Sequence, residues 1–158
     1  MTQEPQDLFE DKVFSLKPFK QLYSTILIIA ILIVITAGVF YLFFPPVSSI
    51  FGIQLSGGFN FSVVIVLLLI YSFIQQSMLR KIIGLQNFQD KVLAYYTFYK
   101  IRLFLVFAIL CISCVLLVLN GDGGDFFWII INTGLLIFLK PSTKIIPQEL
   151  KENDIQFV

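Results

Sequence analysis

Four stretches of the chain lose their polar residues almost completely. Residues 22–44 carry no charge, and only Ser24, Thr25 and Thr36 interrupt the run as clearly polar side chains. About 20 such residues cross the hydrocarbon core of a bilayer as a helix rising about 1.5 Å per residue. Pro45-Pro46 stops this first predicted span, because proline cannot continue the hydrogen-bond ladder. Tyr41-Leu42-Phe43-Phe44 gives its end an aromatic anchor of the kind found at membrane interfaces. Residues 61–79 form a second predicted span. It turns polar at Gln75, Gln76 and Ser77 before Arg80-Lys81, so the glutamines are expected near an interface, within reach of water or a neighbouring helix. Residues 101–119 form a third, with Arg102 expected to snorkel back to the interface. Residues 126–139 form the fourth and shortest, rising only about 21 Å against a hydrocarbon core of roughly 30 Å.

The connections differ in character. Residues 1–21 are polar and mixed in charge and lack the pattern of a secretory signal peptide. Leu8, Phe9, Val13, Phe14 and Leu16 are spaced to share one helical face. The segment therefore reads either as an interfacial amphipathic helix, ended or kinked at Pro18, or as an unstructured leader. Residues 47–60 read as an apolar, uncharged loop containing Gly52, Gly57 and Gly58. Residues 80–100 make the longest polar connection. From near Asn87, however, the chain is expected to run as one long helix into the third span, carrying Tyr95, Tyr96, Phe98 and Tyr99 at the interface. Asn120 to Asp125 is a tight turn by composition, with Gly123 to Asp125 expected in the first turn of the fourth span. Residues 140–158 form a polar tail.

Charge placement decides the doubtful fourth span. All eleven Lys and Arg residues fall in three segments: Lys12, Lys17 and Lys20; then Arg80, Lys81, Lys91, Lys100 and Arg102; then Lys140, Lys144 and Lys151. The loops 45–60 and 120–125 contain none. Basic residues flanking spans are retained in the cytoplasm. Four crossings with both termini inside satisfy every segment, whereas a re-entrant fourth segment would put the last three lysines outside. Arg80, Lys81, Arg102 and Lys140 become the expected interface anchors. The short fourth span is then accommodated by bilayer thinning or by longer neighbours. Composition agrees, with 58% apolar and 13% charged residues, against roughly 45–50% and about 25% in soluble domains.

Candidate chemistry is sparse. There are no histidines, which excludes His-based acid–base work, Ser–His–Asp and Cys–His nucleophiles, and His-bound zinc or haem. Cys111-Ile-Ser-Cys114 has C-x-x-C spacing, but it lies in an apolar helical run and reads as packing. Asp122 and Asp125 offer few of the six to eight oxygens that calcium takes. No Asp, Glu, Lys or Arg lies deep in any span, which counts against a proton-driven pump or a carrier of charged substrates. Asn132-Thr133-Gly134 is the most polar point in mid-span, read as a helix–helix contact or a cavity lining. Asp11-Lys-Val against Asp90-Lys-Val, and Lys81-Ile-Ile against Lys144-Ile-Ile, are short matching words. They raise the alternatives of a duplicated helical hairpin or a coincidence in an Ile-rich chain.

Tyr99-Lys-Ile-Arg102, Lys140-Pro-Ser-Thr-Lys144 and Glu149-Leu150 resemble a family of small four-span membrane proteins of Bacteroidota with no assigned function. The resemblance covers the C-terminal part and implies a bacterial inner-membrane location and no activity. The expected fold is an all-α four-helix transmembrane bundle of two antiparallel hairpins. The expected function is a non-enzymatic accessory subunit, assembly factor or scaffold. It would have no catalytic residue, cofactor, metal or nucleic acid, and its partners would be the lipid bilayer and other membrane proteins or copies of itself. The alternative is a small oligomeric transporter or channel, with Asn132, Thr133, Gln75 and Gln76 as its polar residues.

Overall fold

The computed structural model of the chain describes residues 13–47, 57–121, 123–152 and 155–157. A two-residue strand β1 (Val13–Phe14) precedes helix α1 (Lys17–Phe43). Then come α2 (Gly57–Ile83), α3 (Phe88–Asn120), α4 (Gly124–Phe138), the short α5 (Ile145–Leu150) and β2 (Gln156–Phe157). The protein is helical, and β1 and β2 add one short parallel pairing, Val13 with Gln156 and Phe14 with Phe157.

Local chemistry sets the helix ends. Pro18 lies in the first turn of α1, where a missing N–H costs nothing, so it opens this helix instead of ending an earlier one. An amphipathic helix through Leu16 is thereby corrected where it can be seen, since Val13–Phe14 is extended; Leu8 and Phe9 lie outside the described residues. Helix α2 extends past its predicted bounds at both ends, taking residues 57–60 from the expected loop. The stretch 48–56 of that loop lies outside the described residues. The connection 80–100 shrinks to the turn at residues 84–87. Helix α3 starts where expected, with the Asn87 side chain accepting from the Gln89 N–H at 2.9 Å, as helix-capping residues do. It is 33 residues long, about 50 Å, which exceeds the roughly 30 Å thickness of a bilayer's hydrocarbon core. Gly121 ends it in the left-handed conformation at φ 63°, its N–H bonded to the Leu117 carbonyl, a common helix stop.

Three helices, α1, α2 and α3, are long and apolar enough to cross a membrane. Helix α4 is apolar but has 15 residues, about 22 Å. It nevertheless runs between the same two levels as α1. At one end the Phe126 ring meets Tyr41 edge-on at 4.8 Å; at the other the Tyr23 hydroxyl lies 3.5 Å from the Ile137 carbonyl. Long tyrosine side chains make up the length that α4 lacks.

Helix α3 is the post on which the other helices pack. It buries Leu103, Val106, Ile109, Leu110, Ser113, Cys114, Leu116 and Leu117 along its apolar length. Helix α1 lays a stripe on it, Phe19, Tyr23, Ile26, Ala30 and Ala37, in which alanines permit close approach. Helix α4 does the same with Ile129, Asn132 and Leu136. The opposite faces of α1 and α2 stay bare: Leu32 is 59% exposed, Leu42 72% and Phe73 77%. Lipid accepts such faces and water does not. The expectation of two antiparallel hairpins holds only for α3–α4. Among the described residues α1 and α2 do not pack along each other; each packs on α3. Their lengths also differ from the second pair, 27 and 27 residues against 33 and 15. These differences in packing and length count against the duplicated hairpin.

The paired strands β1 and β2 and the α2–α3 turn gather at one end of the bundle, called the terminal end below. Phe14 and Phe19 stack there at 5.1 Å, and Phe19 continues onto Tyr96 at 4.9 Å and Tyr99 at 5.2 Å. At the far end Gly121 faces Pro46. A Cβ on Gly121 would stand 2.4 Å from the proline Cγ, and its φ is unsuited to a side chain. Gly121→Ala is therefore expected to cost at least about 1–2 kcal/mol, lowering the thermal midpoint in detergent by roughly 3–6 °C. Gly134→Ala, inside α4 with nothing within 4 Å, should hold or slightly raise the same midpoint, since mid-helix glycine costs about 0.5–1 kcal/mol relative to alanine.

Candidate functional site

The densest polar chemistry lies at the terminal end, where α5 folds back under the bundle. Ile146 and Leu150, one turn apart, bury one face of α5, so Glu149 is turned toward α3. Its carboxylate accepts from Arg102 Nη1 at 2.8 Å and from the Tyr95 hydroxyl at 2.5 Å. Arg102 Nε donates to the Tyr71 hydroxyl at 2.9 Å, bringing in α2. Lys151 takes a left-handed conformation at φ 52°, closing α5 so that Glu152 returns to pair with Lys91. The Tyr99 hydroxyl donates to the Leu139 carbonyl at 3.0 Å and ties in the end of α4.

The planar guanidinium suits this place, because its fork of donors can serve two acceptors on different elements at once. Arg102 and Glu149 are each 17% exposed. A pair this shielded loses solvation on both sides, and good geometry with further hydrogen bonds offsets that loss. The cluster therefore works as a clamp joining α2, α3 and α5. Its charged groups are committed to one another, which leaves none of them as a free acid or base facing a cavity. Among the described residues no group of three His, Cys, Asp or Glu is placed to hold a metal ion.

The predicted polar residues separate. Asn132 is fully buried, and its Nδ2 donates to Ser113 Oγ at 3.0 Å, which in turn donates to the Ile109 carbonyl. This is the helix–helix contact between α3 and α4. Asn132 Oδ1 and Thr133 Oγ1 are buried without a partner. Gln75 and Gln76 lie on α2, apart from that pair, Gln75 half-buried and Gln76 exposed. Arg80 and Lys81 are exposed in the last turn of α2, where positive charge suits the helix dipole. Lys140 is exposed as well. Arg102 does not snorkel; it is the centre of the clamp. Sequence reasoning missed Glu149 and Glu152 as companions of Arg102 and Lys91. The available signal was that the tail carries the acids Glu149, Glu152 and Asp154 while the start of the third span carries the bases Lys91, Lys100 and Arg102.

Cys111 and Cys114 are free thiols. They line an apolar groove of about 550 Å³ between α1 and α3, with Ile29, Ile33 and Phe40. Its one hydroxyl, on Thr36, is bonded to the Leu32 carbonyl at 2.8 Å. The groove thus offers contact area and no activated reacting group.

Glu149→Gln leaves Arg102 short of a counter-charge and is expected to cost about 1–3 kcal/mol. The loss would be read as a lower midpoint in detergent and faster trypsin cleavage after Lys144 and Lys151. Arg102→Met combined with Glu149→Met should recover part of that loss, since removing both charges leaves neither unpaired.

Comparison with protein families, with curated proteins and with solved structures finds no match to this chain.

Proposed function

We propose that the chain is a four-span protein of a bacterial cytoplasmic membrane, with both termini inside, acting as a non-enzymatic accessory subunit, assembly factor or scaffold. The observation that carries the interaction role is the state of α2. Val64, Tyr71, Met78 and Ile82 face the bundle, while Val66, Leu69 and Phe73 on the other side are 53%, 64% and 77% exposed. Ser72 and Gln76 are exposed beside them. The part of α2 from Val64 to Ile83 has a mean hydropathy of 1.3, lowered by Gln75, Gln76, Arg80 and Lys81 near its end. Bulky side chains flanked by a hydroxyl and an amide suit a neighbouring helix, since side-chain hydrogen bonds and close packing hold helices together in lipid.

The orientation rests on the basic residues, of which the described ones gather with β1 and β2 at the terminal end. The fourth crossing is supported by α4 running from the level of Tyr41 to the level of Tyr23. The bacterial membrane rests on the resemblance to the four-span proteins of Bacteroidota. The channel alternative fits less well. Its most polar residue, Asn132, is bonded to Ser113 inside one copy and is fully buried there.

Two measurements test this reading. A photo-crosslinking amino acid at Phe73, with the protein in its native membrane, should give a discrete heterologous adduct, and the same probe at Leu32 should give none. Adducts only between copies of the chain would favour the oligomeric alternative. In intact cells an impermeant thiol reagent should label Gly57→Cys from outside and leave Lys91→Cys untouched. The reverse pattern would overturn the orientation.

A further inference from the structure

Helices α1 and α4 run antiparallel, and their contact at the terminal end centres on one carbonyl. The Tyr23 hydroxyl lies within 3.5 Å of the Ile137 oxygen, and the Lys140 N–H bonds the same oxygen at 3.2 Å. Lys20 stands about one helical turn before Tyr23, and Lys140 about one turn beyond Ile137. Two cationic side chains therefore leave adjoining helix ends at one level. Lys17 and Lys144 follow on the same two strands of chain, further from the apolar span. All four are exposed, and none forms an ion pair among the described residues. The described acids of the tail point the other way, with Glu149 and Glu152 committed to Arg102, Tyr95 and Lys91.

Among the described residues no acid is paired with this positive charge, which stands beside a strongly apolar surface. Ile137 is 55% exposed and Phe138 81% exposed on the last turn of α4, directly on the apolar side of Lys140. The Tyr23 and Tyr99 hydroxyls, bonded near the end of α4, mark the depth at which the apolar layer gives way to polar groups. Like charges at one level repel unless they share a counter-ion. The ligand that supplies an anion at this depth together with hydrocarbon below it is an anionic phospholipid.

We propose that Lys20 and Lys140 together hold the phosphate of an anionic phospholipid from the leaflet at the terminal end, its acyl chains lying against Ile137 and Phe138. This rests on the chain spanning a membrane and is independent of any protein partner on α2.

The test uses the full chain in mild-detergent micelles supplied with phosphatidylglycerol or phosphatidylcholine, with bound lipid counted by native mass spectrometry. Phosphatidylglycerol should be retained in preference. Lys20→Gln and Lys140→Gln should each weaken that retention roughly fivefold, and together about 25-fold, as expected for one surface cation each. Lys81→Gln, at the same end but on α2, should change it by less than about twofold. Lys20→Arg with Lys140→Arg should keep it, which separates lost charge from misfolding. Inorganic phosphate in place of lipid should neither bind nor compete at equal concentration. No preference between the lipids, an equal loss from Lys81→Gln, or full competition by inorganic phosphate would overturn the proposal. The crosslinking result at Phe73 would stand in every case.

Discussion

The arrangement at the terminal end depends on one guanidinium. Arg102 lies one turn beyond Phe98, where the apolar part of α3 begins, and donates at once to Tyr71 of α2 and Glu149 of α5. Among its described side chains, helix α2 buries Val64 and Ile82 and packs Tyr71, Met78 and Leu79 against the core. The hydrogen bond from Arg102 supplies what packing does not. A directional contact of this kind counts for more where water is scarce, because the competing solvent partners are few.

Away from the clamp, close packing on α3 sets the arrangement. Ala30 and Ala37 bring α1 near, while Ser113 and Asn132 fix where α4 sits along the post. Lipid is as apolar as a leucine side chain, so burying more leucine between helices gains little there. Small residues and a single buried amide are the features that can choose one arrangement over another. The result is two close interfaces around α3 and broad outer faces left to the bilayer.

Much of this is legible in the sequence. Uninterrupted apolar runs locate the helices, Asn87 marks the start of α3, and Pro45-Pro46 the end of α1, because each acts through its own backbone. The Asn132 contact is legible too, since a mid-span amide needs a partner. What the sequence hides is anything that depends on which helix lies beside which. Arg102 reads as a snorkelling side chain because its carboxylate is 47 residues away. The tail reads as a free polar segment because Ile146 and Leu150 show their purpose only once α5 is folded under the bundle. Short matching words likewise say nothing about whether α1 and α2 touch.

The distance along the chain between Arg102 and Glu149 also imposes an order in time. Synthesis runs from the N-terminus, so α1, α2 and α3 all exist before residue 149 has been added. During that interval Arg102 lacks the Glu149 carboxylate, and Phe14 has no strand to lie against, since its partner Phe157 comes later still. Until residue 149 is made, α2 and α3 are joined at Arg102 by the Tyr71 hydroxyl alone. The segment that supplies the carboxylate is made after the helices it joins, so an event that delays or diverts it would act while the clamp is open.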